Sequence, residues 1–510
     1  MTEIHIIPQP QKITRTTGAF THKGIPEITG NDLFKNEIEI FCTQISNIDW
    51  KTISTPQTSV AKSTAPVIFC QHDATITGTE SYSILIETQK ITLKASHATG
   101  LWNALQSLRQ LIIAGKTESS FEIPCAEITD SPRFSWRGCM LDTSRHFYST
   151  AFIKKLIDIA SMYHMNIFHW HLTDDQGWRL PVDGYPALTE IGSWREDRRT
   201  TWGEDRLVGG SYSKAEISEI VQWAKDRHVE IVPEVDLPGH ASAILASYPE
   251  LGCTGGPYLV EDRFGIFEDV LCAGNDKIFD LFDAIFDTLK ELFPFNYVHI
   301  GGDEVKFNRW EVCPKCHNRL KALSLDHTPQ LQSWITVRLV QMLKERGKTA
   351  IGWDEVLEGT EKLGLPEDLV VMSWRGQQGG IEASSKGHRV IMTPLSDGCY
   401  LNFKPLDNPE EPGHLEVSTV RKSYEMDPIT PEMTEKQASL VLGGQCNLWS
   451  EVIYASRIAE YMLFPRLCAI SESLWSQKKE RSLESFEKRL PTHRKILDAL
   501  DVCQYRGPLE

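Results

Sequence analysis

From Gly138 onward one alternation recurs: a short apolar run, then a stretch with apolar residues at helical spacing. The runs are Gly138–Leu141, Ile167–Leu172, Glu230–Glu234, Tyr297–Ile300, Thr349–Trp353, Leu369–Ser373, Val390–Met392 and Val441–Gln445. Between them Phe152–Tyr163, Lys214–Arg227, Ile278–Leu292 and Gln330–Arg346 read as amphipathic helices. Strands joined through helices pair in parallel, because the helix is the return path that restores strand direction. Eight such strands predict a (β/α)8 TIM barrel. An open doubly wound sheet is the alternative, and the lack of a Gly-rich phosphate loop after the first strand counts against it.

The stretch before the barrel has a different texture. Ile4–Ile7 reads as a short strand, Tyr82–Ile86 and Ile91–Leu93 as paired strands, and Gly100–Ile113 as an amphipathic helix. The Ser/Thr/Pro-rich segment Thr52–Pro66 reads as a loop, and Asp130–Arg133 as a linker. The expected division is a small α/β domain over residues 1–130, the catalytic barrel over 131–480, and a helical extension over 481–510 packed on the barrel. A length of 510 residues accommodates two or three such units.

A net charge of -16 disfavours nucleic acid and anionic membrane as main partners. No apolar run approaches the ~20 residues of a membrane span. The start, MTEIHIIPQPQK, lacks the basic and apolar regions of a secretion signal. This reads as cytoplasmic, or as periplasmic or secreted if a signal has been removed. The twelve cysteines are scattered. Cys313-Pro-Lys-Cys316, followed by His317, looks like half a zinc site, but no other CxxC supplies a second half. Free thiols or a local disulfide are therefore expected, with Cys253 and Cys272 able to pair in an oxidising compartment.

In a barrel, chemistry sits at the C-terminal strand ends. Here those ends carry Asp142 and Arg145, then Asp174 and Asp175, then Glu234, Asp236 and His240. Next come Asp303-Glu304, Asp354-Glu355, Trp374-Arg375, Asp397 with Tyr400 and Asn402, and Trp449 with Glu451. Asp303 and Glu304 follow Gly301-Gly302. A regular strand would send these neighbouring carboxylates to opposite faces. Two glycines permit the backbone to break so that both reach one cavity. Twelve of the fourteen tryptophans lie at or after Trp136. Trp353, Trp374 and Trp449 at one barrel mouth would form an aromatic cage. Carboxylates, an arginine and aromatic faces together suit a polyhydroxylated ring, a sugar.

Six pieces carry a family resemblance: Asp142-Thr-Ser-Arg145, His169-Trp-His-Leu-Thr-Asp-Asp175, Pro238-Gly-His240, His299-Ile-Gly-Gly-Asp-Glu304, Gly352-Trp-Asp-Glu355 and Trp449-Ser-Glu451. In order and spacing the chain resembles glycoside hydrolase family 20, the β-N-acetylhexosaminidases, over nearly its whole length. The resemblance implies an exo-acting enzyme. It would release terminal N-acetylglucosamine or N-acetylgalactosamine, with retention of configuration; no cofactor and no metal are expected. Family 20 departs from the usual two-carboxylate scheme because the substrate's own 2-acetamido group attacks the anomeric carbon.

By that resemblance Glu304 is the general acid and then the base. Asp303 stays ionised and holds the acetamido N–H, and Tyr400 aims its carbonyl oxygen. Trp353, Trp374 and Trp449 enclose the acetyl methyl and the ring. Arg145 binds O3 and O4, and Glu451 takes hydroxyls at the far edge. Asp174 and His240 stand behind Glu304, with Asp175 the alternative to Asp174, and a neighbouring carboxylate there would raise the acid's pKa. Many members have an aspartate where this chain has Asn402, near O4 and O6. An asparagine there, with Lys404 close in sequence, opens tolerance of a 6-O-sulfated N-acetylglucosamine; simple hydrogen bonding to a neutral hydroxyl is the alternative.

Overall fold

The computed structural model describes residues 3–48, 67–197 and 206–510. Eight parallel strands close into a barrel: β1 (Trp136–Asp142), β2 (Ile167–His171), β3 (Glu230–Glu234), β4 (Tyr297–His299), β5 (Thr349–Trp353), β6 (Val370–Ser373), β7 (Val390–Met392) and β8 (Val441–Leu448). Each pairs with the next in sequence, and β8 returns to β1. All eight expected strands are present. β8 runs on to Leu448, and Asn447 on it bridges Tyr400. At the C-terminal rim the register sets Glu234 level with His171 on one side and His299 on the other.

Helices fill the connections where the sequence supplies caps. Ser149 accepts from the Phe152 N–H to start Thr150–Met162. Ser213 and Glu216 form a reciprocal capping box on Lys214–Lys225. Helices Lys277–Leu292 and Pro329–Glu345 lie in the expected places. Among the described residues no helix is long and apolar enough to cross a membrane.

Ahead of the barrel stands a six-stranded sheet, in spatial order Lys12–Lys23, Ser120–Asp130, Tyr82–Ile86, Ile91–Ala95, Ile68–His72 and Ile28–Gly30. The expected strand at Ile4–Ile7 is not one. Ile6 and Ile7 instead plug the core as irregular chain, and the Gln110 side chain bonds both the Ile7 N–H (3.1 Å) and its carbonyl (2.7 Å). The true first strand, Lys12–Lys23, lies at the sheet edge, is largely exposed and carries no apolar alternation to betray it. Thr52–Pro66 lies outside the described residues.

Helix Ala98–Ala114 is the seam between sheet and barrel, buried at every residue from Gly100 to Ile113. It packs on the sheet, on barrel helix Thr150–Met162 and on the C-terminal helix Leu483–Ala499. The C-terminal helix thus rests on the seam as well as the barrel, where Arg489 pairs with Glu472 at 2.7 and 2.8 Å.

One ion cluster locks the seam. Asp158 accepts from Arg109 (2.9 Å), from Arg227 (2.8 Å) and from Gln44 (2.8 Å). Burial opposes its charge, but the two guanidinium groups win and hold the carboxyl down at about 2, against an ordinary 3.8. A depressed folded pKa means stability that is present above pH ~4 and is lost as pH falls toward 2, here about 2 kcal/mol. Asp158→Asn should therefore lower Tm at neutral pH. It should also flatten the fall in Tm between about pH 4 and pH 2. Parallel Tm–pH curves for the two proteins would contradict this.

The cysteines correct one expectation. Cys313 and Cys316 do meet a second pair, Cys253 and Cys272, although these form no CxxC. All twelve cysteines are free thiols in the structure. The second pair was hidden because two separate positions of one long loop supply it.

Candidate active site

β4 ends at His299, and the backbone then leaves the strand path. Gly301 and Gly302 have φ of +67° and +97°, and Glu304 itself sits at +52°. A Cβ on Gly301 would lie 1.8 Å from Asp236 Oδ1, so only glycine passes this point. The break turns Asp303 and Glu304 into one cavity of about 340 Å³. A left-handed glutamate costs about 1–3 kcal/mol and survives only where neighbours fix it. They do: Trp353 N–H bonds the Gly301 carbonyl (2.9 Å), Gln332 Nε2 bonds the Gly302 carbonyl (2.6 Å), and Gly302 N–H bonds Asp236 Oδ1 (3.0 Å).

His240 stands behind both acids. Its Nε2 lies 3.5 Å from Glu304 Oε2 and 3.7 Å from Asp303 Oδ2. Its Nδ1 meets Asp174 Oδ1 at 3.1 Å and Asp175 Oδ2 at 2.9 Å. Both aspartates therefore serve. Asp175 is fixed by the Ser242 N–H (3.0 Å) and hydroxyl (2.6 Å), while Asp174 Oδ2 also takes Arg145 (2.8 Å) and His171 (2.8 Å). Burial works against charge on His240, yet Asp174 and Asp175 raise its pKa well above that of free imidazole. The group beside Glu304 is thus His240, as the motif places it, and the two carboxylates on its far nitrogen favour its protonated form.

The surroundings of Asp303 act on its charge. Burial, followed by the neighbouring Asp236, pushes its carboxyl well above the ordinary range, with His240 pulling the other way. Burial likewise lifts Asp236 to about 6. Asp303 Oδ1 and Asp236 Oδ2 are both buried without hydrogen-bond partners, and the two carboxyls share one cluster with His240. Two close buried carboxyls of this kind titrate as a pair, and their mutual repulsion favours a state with one proton between them.

The apolar wall forms as the sequence suggests. Trp353 is buried, 5.9 Å from Trp449 between ring centroids, and Trp374 stacks on Tyr400 at 6.2 Å. Each of two indoles is pinned by an acid: Trp353 Nε1 donates to Glu234 (2.8 Å) and Trp374 Nε1 to Glu355 (2.9 Å). Burial, then the charge of Asp303, pushes Glu355 up to about 9. Beneath the wall Glu234 pairs with His171, and His169 Nε2 lies 3.1 Å away. Glu355 and these histidines stand in the family pieces and Glu234 at a strand end, but the sequence assigns none of them a role. Their work is to hold tryptophans and backbone from below, which strand patterning does not reveal.

Arg145 closes the opposite side. It contacts Asp142 (3.2 Å) and Asp174, lies 3.9 Å from Glu451, and sits 5.0 Å over the Trp449 ring. Asn402 and Glu451 line the same cavity. Asn402 Oδ1 and Glu451 Oε2 are both buried with no hydrogen-bond partner in the protein. His414 and Glu416 also reach the cavity and went unnoticed in the sequence. They arrive on an exposed segment, His414–Val417, which pairs with Phe403–Lys404 and shows no patterning.

A closed barrel with paired carboxylates and tryptophans at its C-terminal rim has the layout of a family seen in known proteins. Residues 134–478 match the catalytic domain of glycosyl hydrolase family 20, and residues 3–131 match domain 2 of that family. The chain belongs to glycosyl hydrolase family 20. It is 39% identical over 418 residues, 81% of this chain and 52% of the other, to the beta-hexosaminidase of Porphyromonas gingivalis. It is 34% identical over 425 residues, 82% of this chain and 84% of the other, to the beta-hexosaminidase of Akkermansia muciniphila. The match thus spans about half the length of the Porphyromonas relative. Among solved structures, the exo beta-N-acetylglucosaminidase of Vibrio harveyi in complex with N-acetylglucosamine superposes with a TM-score of 0.89 at 29% identity, covering 100% of this chain and 79% of that one. The beta-N-acetylhexosaminidase of Bacteroides fragilis gives 0.83 at 29% identity, over 99% of this chain and 97% of the other.

Proposed function

We propose that the protein is an exo-acting β-N-acetylhexosaminidase that releases terminal non-reducing N-acetylhexosamine with retention, through an oxazolinium intermediate. The observation that carries this reading is the convergence of Asp303 and Glu304 on one cavity walled by Trp353, Trp374, Trp449 and Tyr400. At about 340 Å³ the cavity is near the lower end of small-ligand sites, which suits a single sugar at the end of a chain.

The acetamido carbonyl oxygen attacks C1 as the C1–O bond to the leaving group breaks, and Glu304 gives its proton to the departing oxygen. Tethering supplies the nucleophile at high effective concentration. Positive charge develops on the closing ring. The proton between the two aspartates then rests on Asp236, and ionised Asp303 accepts from the acetamido N–H and offsets that charge. The Tyr400 hydroxyl donates to the acetamido oxygen and aims it. In the second half-reaction Glu304, now a carboxylate, takes a proton from the water that attacks C1, and the carbonyl oxygen leaves. Two inversions at C1 give retention. Arg145 donates to ring hydroxyls, and Glu451 and Asn402 accept from them.

The setting of Asn402 favours a neutral O6. Glu416, not Lys404, lines the cavity on this side, and the His414 N–H bonds the Asn402 carbonyl at 2.7 Å. A carboxylate there repels a 6-sulfate.

The test uses aryl β-glycosides of N-acetylglucosamine, its 6-sulfate and plain glucose, with product configuration read by NMR. Retention, micromolar or tighter inhibition by a thiazoline analogue of the oxazolinium, and turnover confined to the unsulfated 2-acetamido sugar are expected. Brisk cleavage of the plain glucoside would sink the mechanism. Equal turnover of the sulfated sugar would sink only the reading of Asn402 and Glu416.

A further inference from the structure

Four cysteines gather on the outer side of the loops that carry the acid machinery. Cys253 and Cys272 come from the loop after β3, and Cys313 and Cys316 flank the start of helix Pro314–Ala322 after β4. All four Sγ atoms lie within 4.8 Å of one another. Cys253–Cys316 and Cys272–Cys313 are 3.8 Å apart, and Cys272–Cys316 is 3.7 Å. A disulfide needs about 2.05 Å. Sulfurs at the corners of a tetrahedron with zinc at ~2.3 Å from each are about 3.8 Å apart, which is the spacing seen.

The surrounding chain is shaped to bring the two pairs together. A Cβ on Gly274 would lie 2.2 Å from the Lys315 carbonyl carbon and 2.5 Å from the Cys316 nitrogen, so the two backbones pass in direct contact. The Cys272 N–H bonds the Leu251 carbonyl (2.9 Å), and Trp310 Nε1 bonds the Leu271 carbonyl (2.9 Å). His317 is not a fifth candidate, because its Nε2 is taken by the Glu311 carbonyl at 2.6 Å.

We propose that Cys253, Cys272, Cys313 and Cys316 bind one zinc ion as thiolates in a closed, structural tetrahedral site. Binding releases the thiol protons to water and involves no redox change. The ion ties the loop bearing His240 to the loop bearing Glu304. Leu271, one residue before a ligand, donates its N–H to the Pro238 carbonyl (3.1 Å), two residues before His240. Arg309, between Glu304 and Cys313, grips Asp269 at 2.7 Å, three residues before Cys272. The site is a brace for the imidazolium–acid contact and takes no part in the chemistry.

Elemental analysis of the native chain, purified without chelator, is expected to give about one zinc per chain. A thiol-modifying mercurial should release that zinc to a colorimetric indicator. Cys313→Ser and Cys253→Ser should each cut bound zinc at least tenfold and lower Tm by several degrees, whereas Cys503→Ser, outside the cluster, should do neither. Should the serine variants not fold, the wild-type zinc content and its mercurial release decide alone. Native protein with less than about a tenth of an equivalent of zinc overturns the proposal. So does iron in its place, or an intact mass lower by four hydrogens, the mark of two disulfides. None of these readouts depends on glycosidase activity.

Discussion

Replacing Glu304 with glutamine is expected to lower kcat/KM on a disaccharide of N-acetylglucosamine by about 10²–10⁴-fold. The amide keeps the size of the side chain and its approach to His240, 3.5 Å away, so the pocket persists. It cannot give a proton to the leaving oxygen or take one from water. The two losses separate by leaving group. A nitrophenolate departs with little need of protonation, so formation of the oxazolinium from an aryl glycoside should suffer less than from a disaccharide. Its hydrolysis still lacks a base, so aryl turnover should slow at the second step. Equal losses below tenfold on both substrates would remove Glu304 from the role.

Asp303→Asn is expected to cost about 10²–10³-fold in kcat. Here the loss should be nearly independent of the leaving group, because the ring closure itself loses its counter-charge. The asparagine can also turn its amide toward the acetamido N–H and misdirect the nucleophile. Asp236 supplies an internal check. Its charge helps to hold the Asp303 carboxyl above the ordinary range. With Asp236→Asn that repulsion is gone and Asp303 ionises at lower pH, so the acidic limb of kcat/KM should move to lower pH. An unmoved limb would mean that the pair does not share a proton.

The barrel was legible because its strands are short, largely apolar runs separated by helices with clear periodicity; Thr349–Trp353 and Val390–Met392 were located to the residue. Edge strand Lys12–Lys23 was not, because half of its surface meets water and its sequence, KITRTTGAFTHK, alternates in nothing. Within the site, the residues that face the sugar were legible as polar or aromatic groups at strand ends. Of those that act through other residues, Asp174, Asp175 and His240 were named through their motifs, and the rest were silent. Glu234 reads only as one more polar residue at a strand end, and its grip on Trp353 depends on the register between β3 and its neighbours. Glu416 reaches the pocket only through the pairing of two short exposed segments. The shifted acidities of His240, Asp236 and Asp303 arise from burial and proximity, which spacing alone does not encode. The cysteine quartet shows the same limit: one pair has a motif, and its partner pair exists only after folding.

Helix Ala98–Ala114 has no face that could be left in water. The small sheet unit is therefore not a detachable accessory that can be traded among glycosidases like a binding module. Anyone trimming this chain to its barrel, or grafting the barrel onto another partner, inherits an oily scar along the cut and must cover it or expect precipitation.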